Sequence, residues 1–214
     1  MKPGLRAEER ESDALAISGR RVLLRPLAQG DASAALEAVQ ASSAQLRRRF
    51  KWAQDVLSSD DVLRHIRSKS AGWDAGSSCT FGIFDARGQR LVGMMSLDPI
   101  EAETSKARLS FWIRAEEQGK GYASEAGRLV VEHGLRRLSL RRLFARIDPS
   151  NRVARRVLQK LGFHYEGCLR GDERLANRWI DQECWGVLRT EWKPAARRIP
   201  HPALSRTRER EKKS

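Results

Sequence analysis

The 214-residue sequence lacks the features that define several large classes of protein. Its three cysteines, Cys79, Cys168 and Cys184, are odd in number and far apart, so neither a disulfide framework nor a Cys-x-x-Cys zinc site is predicted. No apolar run approaches about 18 residues, and the N-terminus, which begins MKPGLRAEERESD, has no apolar segment of the kind found in signal peptides. A cytoplasmic protein without a membrane span is therefore expected.

Metal-binding patterns and internal repeats are also missing. The four histidines, His65, His133, His164 and His201, have no ligand spacing, so no metal cofactor is expected. A chain of this length can bury a core without metals or disulfides, and a single domain is predicted.

Acidic residues are fewer than basic ones, 27 against 41, which gives a net charge of +14. Eight basic and two acidic residues fall within 193–214, so this segment carries +6 of that total. With three prolines and few apolar residues, it is predicted to be a disordered tail. The tail either only aids solubility or makes weak, salt-sensitive contacts with RNA or another acidic surface. Residues 1–17 are predicted to be a flexible leader, and residues 18–192 the folded domain.

The most informative stretch is LSFWIRAEEQGKGYASEA, residues 109–126. It begins with β-favouring residues, passes through Gly119 and Gly121, and from Ala123 adopts the apolar period of a helix. A strand, a glycine turn and a helix in this order place unpaired backbone N–H groups at the positive end of a helix dipole. An anion site, with a phosphate as the natural ligand, is therefore predicted here.

The spacing within this turn separates the known types of phosphate-binding loop. A dinucleotide fingerprint would need a glycine where Ser124 stands, and a P-loop would need a lysine where Tyr122 stands. The pattern Gln118-x-x-Gly121-x-Ala123 instead resembles the acetyl-CoA motif of the GNAT superfamily of N-acetyltransferases. Five other segments resemble the branch with the ribosomal-protein N-terminal acetyltransferases: LRPL at 24–27, RRFKW at 48–52, KLGF at 160–163, WID at 179–181 and LRTEW at 188–192.

This resemblance covers residues 20–192 and implies an enzyme that uses acetyl-CoA as cosubstrate. It implies that one strand pairs with the pantetheine amides, that the glycine loop grips the pyrophosphate, and that a later asparagine holds the pantetheine arm. The residues so assigned to the cofactor are Phe111, Trp112, Ile113, Gln118, Gly119, Lys120, Gly121, Tyr122, Ala123, Ser124 and Asn151. Two positions depart from the family pattern: Ala154 replaces a common serine, and Leu158 replaces a tyrosine that acts as general acid. The general acid is therefore not identified, although a thiol with a pKa near 8.5 leaves readily as thiolate.

The acceptor must be a neutral amine to attack the thioester. A protein α-amine, with a pKa of about 7.7–8.0, is partly neutral at physiological pH, whereas a lysine near 10.4 is not. Glu173 matches the carboxylate used as base in ribosomal-protein acetyltransferases, and a solvated loop charge is the alternative interpretation. Asp181 is expected to be structural, and Cys168 to be a small core residue. Trp112 and Trp185 are expected in the core, and Trp52 and Trp73 over the acceptor.

Three functions remain open at this point. The first is acetylation of a protein N-terminal α-amine, and the second is acetylation of a small amine such as a polyamine or aminoglycoside. The third is a non-catalytic relative that binds acetyl-CoA or nucleic acid. The oligomeric state is left open between a monomer and a homodimer.

The remaining periodicities predict an α/β domain of the GNAT fold, with a mixed, mostly antiparallel central sheet flanked by helices. Strands are predicted at 20–27, 79–84, 91–97, 107–113, 143–147, 163–169 and 178–188. Helices are predicted at 31–39, 43–52, 57–74, from 123 onward and from 151 to 161. Asp31 is expected to cap the first helix, and the last is expected to bury Val153, Val157, Leu158 and Leu161 and to end at Gly162.

Overall fold

The computed structural model describes residues 15–54, 58–175 and 178–194, and these ranges contain eight strands and five α-helices. The strands are β1 (Ile17–Ser18), β2 (Val22–Arg25), β3 (Cys79–Asp85), β4 (Leu91–Glu101), β5 (Lys106–Ile113), β6 (Arg142–Ile147), β7 (His164–Leu175) and β8 (Arg178–Leu188). The helices are α1 (Ala32–Ala41), α2 (Ser43–Arg47), α3 (Ser59–Asp74), α4 (Tyr122–Glu132) and α5 (Arg152–Lys160). Most of the predicted leader and of the basic tail lies outside the described residues.

The strands form one mixed sheet in the order β1-β2-β3-β4-β5-β6-β8-β7. All neighbouring strands are antiparallel except β5 and β6, so the predicted mostly antiparallel sheet is confirmed. The sheet begins at Ile17, the last residue of the predicted leader, because Ile17 and Ser18 pair with β2.

The short pairing of β5 with β6 leaves room for a cleft in the sheet. The two strands pair only from Lys106↔Arg142 to Arg108↔Phe144. On its other side, β5 stays paired with β4 as far as Gly93↔Ile113. The second half of β5 therefore has an edge that β6 does not cover, and a cleft opens there.

Helices cover both faces of the sheet, because the central strands are apolar on both faces. One core cluster joins α4 and α5 to residues such as Phe81 and Leu143. The other joins α1 and α3 to residues such as Phe84 and Met94. In the described ranges, no helix combines the length and apolar character needed to cross a bilayer.

Two helix ends have well-defined caps, and the second, at Gly162, confirms the predicted end of α5. The Ser58 hydroxyl accepts a hydrogen bond from the Asp61 amide, and the Asp61 carboxylate accepts one from the Ser58 amide, which together cap α3. Gly162 follows α5 with φ of +83°, the left-handed conformation that ends many helices.

Three sequence predictions are wrong. Asp31 does not cap α1, because its carboxylate accepts a hydrogen bond from the Ala28 amide and pairs with Arg25 at 2.7 Å. Val153 is not buried: its exposure is 56%, and the cleft lies in front of it. Cys168 is exposed rather than a core residue, because it lies on β7, the outermost strand of the sheet.

Candidate active site

The loop between β5 and α4 presents backbone rather than side chains to the cleft. Gly119 and Gly121 have φ of +77° and +87°, a region that L-residues with a Cβ rarely adopt. Gly121 precedes the first turn of α4, whose leading N–H groups have no carbonyl acceptor within the helix. The loop thus directs several N–H donors and the positive end of a helix dipole at one point.

Contacts from distant parts of the chain hold this loop in place. The Arg21 guanidinium donates to the carbonyl of Lys120 at 2.7 Å, and the Arg21 amide donates to the Glu125 carboxylate at 2.8 Å. Lys120 itself pairs with Glu117 at 2.9 Å, and the same carboxylate pairs with Arg90 at 2.7 Å. The Glu117 side chain is only 5% exposed, so these two cations compensate a buried charge. The ammonium of Lys120 is therefore occupied within the protein.

A cavity of about 370 Å³ adjoins the loop. Ten of the eleven residues predicted to bind the cofactor line it: Phe111, Trp112, Ile113, Gln118, Gly119, Gly121, Tyr122, Ala123, Ser124 and Asn151. Lys120 is the eleventh and does not belong to the lining, which agrees with its contact to Glu117.

Two motif side chains in this cavity have structural partners. The Gln118 amide nitrogen donates to Gln45 at 2.6 Å and to the carbonyl of Ile113 at 3.3 Å, so it fastens the loop to the end of β5. The Asn151 side-chain oxygen accepts from the Ala154 amide at 3.1 Å and so caps α5. Within the described ranges the amide nitrogen of Asn151 has no acceptor, so it can donate to a ligand in the cavity that Asn151 lines.

Sequence reasoning missed the positive charges of this cavity. Arg156 and Lys160 line it from α5, and both are exposed. Within the described part of the chain, neither forms an ion pair. Their four-residue spacing on an amphipathic helix was a usable signal, because it places both on one face, near the anion-binding loop.

A second cavity of about 410 Å³ lies on the other side of β5. It shares four lining residues with the first: Arg49, Phe50, Phe111 and Trp112. We call these four residues the junction. They lie between the first cavity, which includes the glycine loop, and the second cavity, which does not.

Glu173 lines the second cavity from β7 rather than from a loop, so its interpretation as a solvated loop charge is not supported. It is half-buried, and its carboxylate accepts a hydrogen bond from the buried Gln182 amide at 2.7 Å. Next to it, Asp172 pairs with Arg146 at 2.9 Å. Asp181 has the structural role expected of it, because its carboxylate accepts from the Gly171 amide at 2.9 Å.

Of the two tryptophans expected over the acceptor, Trp52 lines this second cavity and Trp73 does not. The Trp73 indole donates to the carbonyl of Thr80 at 3.1 Å and packs edge-on against Phe81 in the core. His65, which had no predicted role, lines the cavity and stacks on Trp52. Burial, with a further contribution from the charge of Lys69, lowers the pKa of His65 to about 4, so this imidazole is neutral at physiological pH.

The positions that depart from the family pattern differ in their surroundings. Ala154 lines the first cavity, whereas Leu158 is fully buried and contacts the core. Leu158 therefore supplies neither a hydroxyl nor access to one. Among the described residues, no group of three His, Cys, Asp or Glu side chains could hold a metal ion.

Comparisons with known proteins agree on one family. A family model described as an acetyltransferase (GNAT) domain matches residues 21–164. The probable N-acetyltransferase YjcK of Bacillus subtilis is 30% identical over 175 residues, which cover 80% of this chain and 96% of that protein. The ribosomal-protein-serine acetyltransferase of Escherichia coli is 27% identical over 136 residues, covering 64% of this chain and 75% of that protein. A structure of RimL, a ribosomal L7/L12 alpha-N-protein acetyltransferase in complex with coenzyme A, shares the fold, with a TM-score of 0.76 and 22% identity over 80% of this chain and 96% of that one.

Proposed function

This chain belongs to the GNAT family of acetyltransferases, and on that premise we propose that it transfers the acetyl group of acetyl-CoA to the α-amine of a protein N-terminus. One observation carries the proposal. Two cavities meet at the junction beside the uncovered edge of β5, so a thioester in one and an amine in the other would come together there.

The first cavity fits acetyl-CoA. Its glycine loop offers backbone N–H groups to a pyrophosphate, and Arg156 and Lys160 offer positive charge to the phosphates. The uncovered backbone of β5 at Phe111–Ile113 offers hydrogen-bonding groups to the pantetheine amides, as a sheet edge does to an added strand. Acetyl-CoA supplies an acyl group activated as a thioester.

The reaction needs little else from the protein. The two cavities would hold the amine and the thioester side by side, and positioning of this kind supplies much of the rate of an acyl transfer. Backbone N–H groups near the end of β5 are available to stabilise the oxyanion that forms when the amine attacks. A thiol with a pKa near 8.5 departs as thiolate, so a buried Leu158 in place of a tyrosine is tolerable.

Glu173 is the residue we assign as general base. It lines the second cavity, and the hydrogen bond from Gln182 fixes its orientation. An α-amine with a pKa of about 7.7–8.0 loses its proton readily, so a carboxylate acting directly or through one water is sufficient. A lysine side chain would demand a stronger base.

The charges of the second cavity favour a peptide over a polycation. Its two other acids are neutralised inside the cavity, Asp98 by Lys69 at 2.6 Å and Asp172 by Arg146 at 2.9 Å. Arg49, Lys51 and Arg108 also line the cavity, and in the described ranges none of them has an acidic partner. The cavity therefore has more cations than free carboxylates, which opposes binding of a polyamine or an aminoglycoside.

The test is acetyl-CoA-dependent acetylation of peptides that begin with Ser, Ala or Thr. Thiol release, corrected for hydrolysis without acceptor, should rise with these peptides and not with the same peptides blocked at the N-terminus. Mass spectrometry should place one acetyl group on the α-amine. Turnover with spermidine or an aminoglycoside at a higher kcat/KM than with any of the peptides would refute the proposal.

A further inference from the structure

The second cavity has an aromatic wall made of Phe50, Trp52, His65 and Trp112. Trp52 contacts the other three, with ring centroids 5.8 Å from Phe50, 5.3 Å from His65 and 6.4 Å from Trp112. Trp52 itself lies in a single 3-10 turn, Lys51–Gln54, which is a short element with few backbone hydrogen bonds. The orientation of its indole therefore depends mainly on these ring contacts.

The contact with His65 is the closest and the most nearly parallel of the three. The two rings are inclined by 29°, against 39° for Phe50 and 44° for Trp112. His65 belongs to α3, a helix of 16 residues that is anchored in the core by Val62 and Ile66. His65, held by the rigid helix α3, thus supports the indole of Trp52, which lies in a less constrained turn.

His65 acts on Trp52 as an uncharged ring. The charged groups that lie nearest, Lys69 and Asp98, pair with each other at 2.6 Å and leave the imidazole as a stacking partner. Offset stacking of two neutral aromatic rings restricts the orientation of both.

Trp52 lies on the path of the acceptor. An amine held in the second cavity at the junction would lie against Phe50 and Trp112, and Trp52 contacts both of them. The side chain on the carbon that bears the amine would therefore lie next to the indole.

We infer that His65 is a positioning residue for the acceptor: by stacking on Trp52 it fixes the indole beside the junction, where the indole limits the size of the acceptor's first side chain. This inference rests on the proposed function in assigning the second cavity to the acceptor. It assigns His65 no role in proton transfer.

The test compares His65→Ala, His65→Phe and Trp52→Ala with the wild type. Two peptides that differ only in their first residue, Ser or Leu, serve as acceptors, and the KM for acetyl-CoA is measured alongside. His65→Ala and Trp52→Ala should each lower the preference for the Ser peptide by about two- to tenfold, the worth of one aromatic pair. His65→Phe keeps a ring in place and should stay within about twofold of the wild type, as should the KM for acetyl-CoA in all three variants.

A matched control exists in the same chain. His133 also packs against a tryptophan, Trp73 at 6.3 Å, but its ring lies against the core residue Phe81 and lines neither cavity. His133→Ala should lower the melting temperature and leave the Ser-to-Leu preference unchanged. The inference is overturned if His65→Ala, like His133→Ala, leaves the Ser-to-Leu preference unchanged. It is also overturned if His65→Phe does not keep the wild-type preference.

Failure of the proposed function would give a different result. A wild-type enzyme that acetylates no peptide would refute the peptide acceptor, and the same variants would then be compared on two small amines of unequal bulk. A size preference equal in the wild type and in His65→Ala would overturn the role of His65 on that substrate too.

Discussion

Replacement of Gly121 by alanine should weaken acetyl-CoA binding about 30-fold while the domain stays folded. Residue 121 has φ of +87°, a conformation that costs a residue with a Cβ about 1–2 kcal/mol. The new Cβ would also lie 3.1 Å from the Arg21 guanidinium, so that group must shift from its 2.7 Å hydrogen bond with the carbonyl of Lys120. A shift of a few tenths of an ångström weakens that bond, which adds up to about 1 kcal/mol. With the conformational cost at its lower end, about 1 kcal/mol, these terms reach about 2 kcal/mol, and about 1.4 kcal/mol corresponds to a tenfold change in affinity.

The cost should appear in binding rather than in folding. The peptide groups of the loop can rotate to relieve the strain, because the core contacts of α4 at Val130 and Val131 lie more than one turn away. Such a rotation turns the N–H groups away from the point where they converge. The binding site is then lost while the helix and sheet remain packed.

Gly119→Ala provides the matched comparison. Residue 119 is also left-handed, at φ of +77°, but a Cβ at this position would meet no atom within 4 Å. This variant therefore carries the conformational cost alone, about 1 kcal/mol, and should weaken binding about fivefold. Calorimetric titration with acetyl-CoA and urea unfolding would be run on both variants. Equal affinities for Gly119→Ala, Gly121→Ala and the wild type would refute the assignment of the loop.

Three further changes test other parts of the site. Glu173→Gln should lower kcat by about 10- to 100-fold at pH 7 with unchanged acetyl-CoA affinity, because glutamine can still accept the bond from Gln182 but cannot take a proton. An unchanged rate at every pH would place the base elsewhere. Arg156→Gln and Lys160→Gln should each weaken acetyl-CoA binding about two- to fivefold and flatten its salt dependence, whereas Arg152→Gln, which lines neither cavity, should do neither. His65→Phe should make stability less sensitive to acid. The pKa of His65 is about 4 in the fold and 6.5 ordinarily, so protonation favours the unfolded chain as pH falls from 6.5 to 4. The free energy of unfolding of the wild type should fall by about 3 kcal/mol over this range through His65, a loss that the variant lacks. Urea unfolding at pH 7 and pH 4 checks this, and an equal loss in both proteins would contradict it.

The half of the site that we propose for the cofactor is recognisable in the sequence because its glycine loop is local. A strand, a turn with two glycines and a helix follow one another within residues 109–126, and their order alone fixes where the N–H groups point. Asn151 was also predictable, since it opens a helix after a strand and its side chain caps that helix. What could not be predicted is the direction of the side chains within the loop. Lys120 turns to the buried Glu117 because Arg90 is shared between Glu117 and Glu116. Gln118 turns to Gln45 across a contact 73 residues apart.

The errors on α5 and on the tryptophans have one physical cause. Apolar periodicity indicates that a residue avoids water but not which apolar surface it faces. Both Val153 and Ala154 line the first cavity, but Val153 is exposed there, and Ala154 is the buried residue of the pair. Trp73 and Trp52 both lie on the helical segment between β2 and β3, but only the first packs against the core cluster that contains α4 and α5.

The second cavity, which we propose for the acceptor, is the part of the molecule that a single sequence hides most completely, because at least five separated segments build it. Its wall comes from a 3-10 turn and from α3, its floor from β4 and β5, and its carboxylate from β7. No spacing rule joins Trp52, His65 and Glu173, since only the fold brings them to one cavity. A substitution at any of these three positions can change the acceptor without touching the glycine loop, which lies on the far side of the junction. The acceptor of each relative should therefore be inferred from its residues at these positions rather than from its acetyl-CoA loop, which many acceptor specificities can share.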